Sequence, residues 1–139
     1  MSQENVEILL RVLKEGDPRS PEGFDAFLAI FDPDVVYDMS RSSFPDARVY
    51  EGVDEVRQWF AGLGDAFGDP ADMTHSVERV RVAGDRVVLM QRMQASGRTT
   101  RIPVDWAWVG VYTFRDGRVV RFDRYDDWAQ ALEAVGLGE

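Results

Sequence analysis

Hydrophobic positions along this chain keep a helical period over the first half and change to a strand period over the second. Val6, Leu9, Leu10 and Leu13 recur at helical spacing, which predicts a helix over 5–15, stopped by Gly16, Asp17 and Pro18. Ser20, Pro21 and Glu22 read as an N-cap, a first-turn proline and an acid matched to the helix dipole. They open a second helix with Phe24, Phe27, Leu28 and Phe31 on one side. Asp32, Pro33 and Asp34 end it and lead into a short strand over 35–39. A polar loop is expected over 40–51, with Phe44 and Pro45 at its tip. A third helix follows over 52–67, with Val53, Val56, Phe60, Leu63 and Phe67 recurring at helical spacing.

From residue 74 the period becomes two. Strands are expected over 74–82, 86–95, 101–114 and 118–125, joined by turn signals at Ala83-Gly84-Asp85 and Arg115-Asp116-Gly117 and a weaker one at Ser96-Gly97-Arg98. Sequential hairpins predict an antiparallel meander. Asp126 and Asp127 can cap a last helix carrying Trp128, Leu132 and Val135, closed by Gly136. A sheet of this kind must bury one face against helices, so the fold class expected is α+β. It is a curved antiparallel sheet wrapped into a cone around three N-terminal helices, in a single domain over 1–139.

The strand faces carry the first functional hint. Between Trp106 and Phe114 the even positions are aromatic except Gly110, and the odd ones are small or β-branched. Side chains alternate across a strand, so one face is a wall of rings with a gap at Gly110. In the preceding strand the even positions are Val88, Met90, Arg92 and Gln94, two apolar residues followed by two polar ones. Aromatics, a missing side chain and a polar pair suit a shaped pocket; a large core with Gly110 at a bend or bulge suits the same pattern. The candidate lining is Trp59, Phe60, Met90, Gln94, Trp106, Trp108, Tyr112, Phe122 and Arg124.

Charge and composition narrow the partners. Asp and Glu outnumber Lys and Arg 25 to 16, a formal charge of −9, which argues against nucleic acid and against anionic membranes. No apolar run approaches the length of about 20 residues that spans a bilayer. The N-terminal stretch lacks a basic region and an apolar core, so no export is expected. The absence of cysteine excludes thiolate chemistry and fits a reducing cytoplasm. One histidine and no cysteine leave no zinc cluster, and no glycine-rich phosphate loop, dinucleotide fingerprint or serine nucleophile elbow is present, so no cofactor and no metal are expected. The partner expected is a small apolar or aromatic molecule. A homodimer is also expected, through the apolar odd face of Ala107, Val109, Val111 and Thr113.

These segments resemble the nuclear transport factor 2-like superfamily, in particular its SnoaL-like (polyketide-cyclase-like) and ketosteroid-isomerase-like members. The resemblance lies in Phe31-Asp32-Pro33-Asp34-Val35, in the run from Val49 to Val56, in Ala83-Gly84-Asp85-Arg86-Val87, in Tyr112 to Val120, and in the tail from Ala131 to Leu137. It implies the cone-shaped fold over nearly the whole chain. Its members include isomerases, cyclases, dehydratases, epoxide hydrolases and non-catalytic binders, so activity has to be argued from the site.

Asp38, at the end of the first strand, resembles the position of the ketosteroid isomerase general base. It either faces the pocket, where desolvation raises its pKa, or bonds backbone amides beside the Ser40–Ser43 loop. The proton-donating acid of such an isomerase falls on Gly110, and the histidine that SnoaL-like relatives carry there is absent too. The stretch around His75 is similar to the strand holding a catalytic histidine in scytalone dehydratase. His75 could pair with Asp38 or make a backbone hydrogen bond at a partly exposed site. Val77 and the pair Val80 and Val82 fall out of phase there unless a bulge intervenes. Arg92 and Gln94 resemble the Arg-x-Asp of limonene epoxide hydrolase, but Gln94 and Arg124 replace its two aspartates. Arg92 either binds a carboxylate, enolate or phenolate, or pairs with an acid such as Asp105 or Asp123. The reading is a small-molecule pocket protein. As an enzyme it is a cofactor-free isomerase, cyclase or lyase using Asp38, His75 and Arg92; the alternative is a non-catalytic binding or oligomerisation module of the same fold.

Overall fold

In the computed structural model, which describes residues 2–14, 21–42, 48–67, 74–96 and 103–137, the elements run in the order that the changing hydrophobic period predicts. They are α1 (Ser2–Lys14), α2 (Pro21–Ala29), β1 (Phe31–Asp38), β2 (Val49–Glu51), α3 (Val53–Phe67), β3 (Thr74–Ala83), β4 (Arg86–Ser96), β5 (Pro103–Arg115), β6 (Arg118–Tyr125) and α4 (Trp128–Ala134). The helix stop at 16–18, the cap at Ser20, the loop tip at Phe44 and Pro45, the turn at 97–98 and the strand start at 101–102 lie outside the described residues. So do the side chains of Phe24, Leu63 and Phe67.

The strands form one six-stranded sheet in the order β2-β1-β6-β5-β4-β3. Four neighbouring pairs are antiparallel, but β1 lies parallel to β6, so the curved sheet is mixed. Two local features differ from expectation. Phe31 begins β1 rather than ending α2, because it pairs with Val119, and the Ile30 carbonyl accepts from the Val119 N–H at 2.8 Å. The Asp32-Pro33-Asp34 stretch then forms an irregularity before pairing resumes at Val36, as suits a proline with no N–H to give to a ladder. Within the expected loop, Val49–Glu51 forms the short edge strand β2, whose Tyr50 is buried between two exposed neighbours.

The hairpins close as their residues dictate. Asp116 and Gly117 both take positive φ (53° and 81°), the geometry of a two-residue turn whose twist matches the strands. In β3 a register shift lies between Val77 and Arg79. The extra residue there restores Val80 and Val82 to the face of Val77, so the phase break in the sequence is a real bulge.

Both faces of the sheet are covered. The inner face carries Tyr37, Leu89, Tyr112 and Phe122 in a core shared with Leu9 of α1, Phe27 and Leu28 of α2 and Val56 of α3. The outer face carries Val88, Val109 and Val111 beneath Ala131 of α4, with Met90, Tyr125 and Trp128 packed around them. Asp127 caps α4 by accepting from the Gln130 N–H at 2.8 Å. Gly136, at φ 81°, closes it while the Leu137 N–H reaches back to the Leu132 carbonyl at 2.8 Å. This covering removes the ground for the expected homodimer contact. Val109 and Val111 are buried within the chain by its own last helix rather than left for a partner.

Candidate functional site

The strand register decides which side chains meet on the inner face. Position n of β4 pairs with an opposite-parity position of β5, as in Val87 with Tyr112 and Gln91 with Trp108. The aromatic even face of β5 therefore continues into the odd residues of β4, namely Val87, Leu89, Gln91 and Met93. The expectation that Met90, Arg92 and Gln94 line this face is overturned. Its cause is physical: Val87, Val88 and Leu89 are all fully buried, so the strand has no solvent side to betray its parity.

Gln91 is the polar residue that this register sends inward, and it is 2% exposed. Its side-chain nitrogen donates to the Tyr112 hydroxyl at 3.1 Å. Its oxygen lies 2.8 Å from His75 Nε2. An amide oxygen only accepts, so with Gln91 in this orientation the imidazole carries its proton on Nε2 and keeps a lone pair on Nδ1. Desolvation holds the His75 imidazole below the ordinary histidine range, against the opposing effect of the Gln91 hydrogen bond. It is therefore neutral at pH 7. The ring of Trp108 lies 5.9 Å from that of His75, and both are half-buried.

Arg124, on β6 opposite Gly110, completes the group. Its guanidinium sits over the Trp108 ring, 4.7 Å from the centroid, and the residue is 6% exposed. Burial lowers its pKa, opposed by Tyr37, Tyr112 and Asp126, yet an arginine stays charged in a protein. Burial pushes the Tyr112 hydroxyl up to about 12, against the lowering effects of Gln91 and Arg124. The Tyr37 hydroxyl is raised further by burial, with Tyr112 adding to the effect and Arg124 opposing it. Both phenols are thus O–H donors at neutral pH. Tyr37 stacks on Phe122 at 4.2 Å, and α3 closes over it with Trp59 and Phe60, each 6.3 Å from the Tyr37 ring. Trp106, paired with Met93, shares the parity of Trp108.

The other two residues expected to work with His75 lie elsewhere. Asp38 alternates with the inward Val35, Tyr37 and Met39, so it points to the outer face. There it accepts from the Ser40 N–H (2.9 Å) and hydroxyl, from Arg41 (2.9 Å) and from Arg121 (3.0 Å). Asp123 accepts from the same two arginines, at 3.2 Å and 3.0 Å. Burial alone would raise the Asp38 pKa, but the Ser40 and Arg41 contacts outweigh it and hold the carboxyl below the ordinary aspartate range. Such a group is a poor base at neutral pH.

Arg92 is on the outer face too. It pairs with Glu78 at 2.9 Å and grips both Asp105 oxygens at 3.0 Å. Gln94 donates to Asp105 at 3.3 Å, and Met90 packs against the outer cluster of Val88, Val109, Val111 and Ala131. Asp38, His75 and Arg92 are thus dispersed over two faces and three separate polar networks. Gln91, Tyr37 and the Arg41–Arg121–Asp123 group were missed from sequence. Gln91 had a signal, as the lone uncharged polar residue in the run from Val87 to Met93.

Among the described residues no three His, Asp or Glu side chains gather as a metal site requires. A separate open groove of about 810 Å³ runs between α2, the start of β1 and the start of α3, lined by Leu28, Phe31, Pro33, Val53 and Arg118 among others. None of the residues proposed from sequence for catalysis or for the pocket lines it.

The architecture recurs in solved structures. A protein from Jannaschia sp. CCS1 assigned as a SnoaL-like polyketide cyclase is 23% identical with a TM-score of 0.74, the match covering 99% of this chain and 95% of that one. An NTF2-like protein of unknown function from Burkholderia pseudomallei K96243 is 20% identical with a TM-score of 0.71, covering 97% and 98%. TerC, co-crystallised with polyporic acid, is 17% identical with a TM-score of 0.70, covering 96% and 98%. At these identities the likeness shows the NTF2-like fold. No curated protein matches the chain. The family model of the SnoaL-like domain matches residues 6–122, which runs from α1 to the inward Phe122, and the chain accordingly belongs to the SnoaL-like domain family.

Proposed function

We propose that this protein binds a small, largely aromatic organic molecule against the inner face of its sheet, with His75 as the group that moves a proton on it. The observation that carries this reading is the chain His75–Gln91–Tyr112, a polar line held within an aromatic wall. A neutral imidazole with a free Nδ1 lone pair is a suitable base near pH 7, and Tyr112 and Arg124 can stabilise the negative oxygen that enolisation creates. Such chemistry is that of an isomerase, cyclase or lyase and needs no cofactor. The polyketide cyclase assignment of one structural neighbour and the polyporic acid bound to another agree with an aromatic, oxygenated ligand. The lack of cysteine suits a reducing compartment, and we place the protein in the cytoplasm as one domain over 1–139.

A second reading, a non-catalytic binder, is favoured by Asp38, since the residue resembling the isomerase base is tied to two arginines on the other face. One experiment separates the two. The enolisable ketone 2-tetralone is incubated with the protein in deuterated water, and NMR follows exchange of its α-protons. Exchange above the buffer rate, lost in His75→Gln, supports proton transfer. Saturable binding without exchange supports the binder, and absence of binding by 2-tetralone and by a panel of fused-ring phenols and quinones refutes both.

A further inference from the structure

The sheet has two open edges of very different length. One is β2, which at three residues offers little for a further strand to pair with. The other is β3, ten residues long, and among the described residues no strand pairs with its far side. The bulge in β3 lies between Val77 and Arg79, so the stretch from Arg79 to Ala83 runs in unbroken register with β4. Along such a stretch alternate residues turn both N–H and C=O to the open side, where another strand can take them up.

The side chains there sort by face. Arg79 and Arg81 pair with Met90 and Val88 and share their outer face, while Val80 and Val82 pair with Leu89 and Val87 and share the inner one. At this rim Val80 and Val82 are 37% and 38% exposed, although Val87 and Leu89 beside them are fully buried. Arg79 lies over the Trp128 ring, 5.6 Å from its centroid, and neither Arg79 nor Arg81 bonds an acid among the described residues. Arg92, one strand further in, is held by Glu78 and Asp105. The edge is therefore basic on one face and apolar on the other, in a chain of net charge −9.

Charge disfavours the simplest occupant, a second copy. Two β3 edges would meet antiparallel about a two-fold axis. Registers centred on residue 79, 80 or 81 set Arg79 opposite itself, Arg79 opposite Arg81, or Arg81 opposite itself, and like charges directly opposite destabilise a sheet. An acidic strand reverses the sign of each of these contacts. It can place a carboxylate opposite both arginines and an apolar side chain opposite both valines.

We propose that the β3 edge docks an extended acidic segment of another protein. The segment adds antiparallel to Arg79–Ala83, with carboxylates against Arg79 and Arg81 on the outer face and apolar side chains beside Val80 and Val82. The backbone supplies the affinity of such a contact and the alternating side chains its selectivity.

NMR titration of the full chain at low salt with the capped peptide Thr-Val-Glu-Val-Glu-Val-Thr tests it. Wild type is expected to bind this peptide about tenfold more tightly than its counterpart with lysine for glutamate, the scale of two cross-strand charge pairs reversed in sign. Amide shifts should concentrate on Arg79–Ala83, and N-methylation of alternate peptide residues should abolish binding. The double variant Arg79→Glu, Arg81→Glu should invert the order of the two peptides. Should it fail to fold, Arg81→Glu alone, which leaves the Trp128 contact in place, should remove most of the preference. Equal affinity for the two peptides, undiminished binding of the N-methylated one, or no binding of the glutamate peptide overturns the proposal. So does tighter binding of a single-stranded oligonucleotide, which would make the arginines a phosphate surface, or a wild-type dimer that the peptide dissociates, which would give the edge to a second copy.

Discussion

The ring of Phe122 fills the space that a side chain at position 110 would take. A Cβ built on Gly110 would stand 2.6 Å from Phe122 Cε1 and 3.0 Å from Tyr112 Cε1. The break in the aromatic wall is therefore neither an opening nor a bulge, since the pairing of Gly110 with Leu89 and with Arg124 continues in register through it. It is a seat for a ring from the neighbouring strand, which then stacks on Tyr37. Gly110→Ala is expected to cost about 1–3 kcal/mol, the usual penalty for overfilling a packed core. The double variant Gly110→Ala, Phe122→Leu should lose less than the sum of the single losses, because removing the ring edge removes the clash. Urea unfolding of the four proteins measures this; strict additivity would show that the two residues do not compete for space.

His75 should make stability fall in mild acid. Its folded pKa lies below the ordinary 6.5 because burial disfavours the charged ring. The unfolded chain therefore takes up a proton as pH drops through that value while the folded chain does not, and the imidazole's contribution, full above about 6.5, is lost toward the folded pKa. Denaturation from about pH 7.5 to pH 5 should show a decline that is shallower in His75→Gln. As the single histidine, its imidazole can be followed by NMR, and a titration midpoint at or above 6.5 would contradict the buried, Gln91-bound ring.

Most of the fold was legible because its signals are local. The capping Asp127, the Asp116–Gly117 turn and the phase break between Val77 and Val80 each announce one feature and each is present. The site was less legible because it depends on which face a residue occupies. Alternation reveals a face only when one side meets water, and the first part of β4, Val87 to Leu89, is buried on both, so Arg92 and Gln91 exchanged roles. The β1–β6 pairing is non-local and parallel, and nothing near Asp38 in the chain names Arg121 as its partner. Tyr50 needed the same long-range view, since a strand of three residues beside β1 carries no period of its own.

Arg92→Ala should leave ligand binding unchanged and shift the melting temperature little. Its partners Glu78 and Asp105 are on the outer face and exposed, and solvent screens pairs of this kind. The informative comparison is with His75→Gln in the same 2-tetralone assay. Loss of 2-tetralone binding in the Arg92 variant would return that residue to the site and place the ligand on the outer face.

Asp38→Asn should behave as a change to the scaffold. The Asp38 side chain is 7% exposed, while Arg41 and Arg121 are 50% and 42% exposed, so the carboxylate is shielded but its partners are wet. An asparagine oxygen can still accept from the Ser40 N–H, and Asp123 remains to hold both arginines. The expected loss is therefore only about 1–2 kcal/mol, below that for breaking a fully buried pair. Its pH dependence follows from the direction of the shift. The folded pKa lies below the ordinary 3.8, so the carboxylate stabilises the fold fully above that value and loses its effect as pH falls through the folded pKa. Thermal melts of wild type and Asp38→Asn should differ most at neutral pH and converge below about pH 3.8, while 2-tetralone exchange stays at the wild-type level. The opposite result, an unchanged melt with lost exchange, would show that Asp38 reaches the ligand and that the outer arginines do not hold it there in solution.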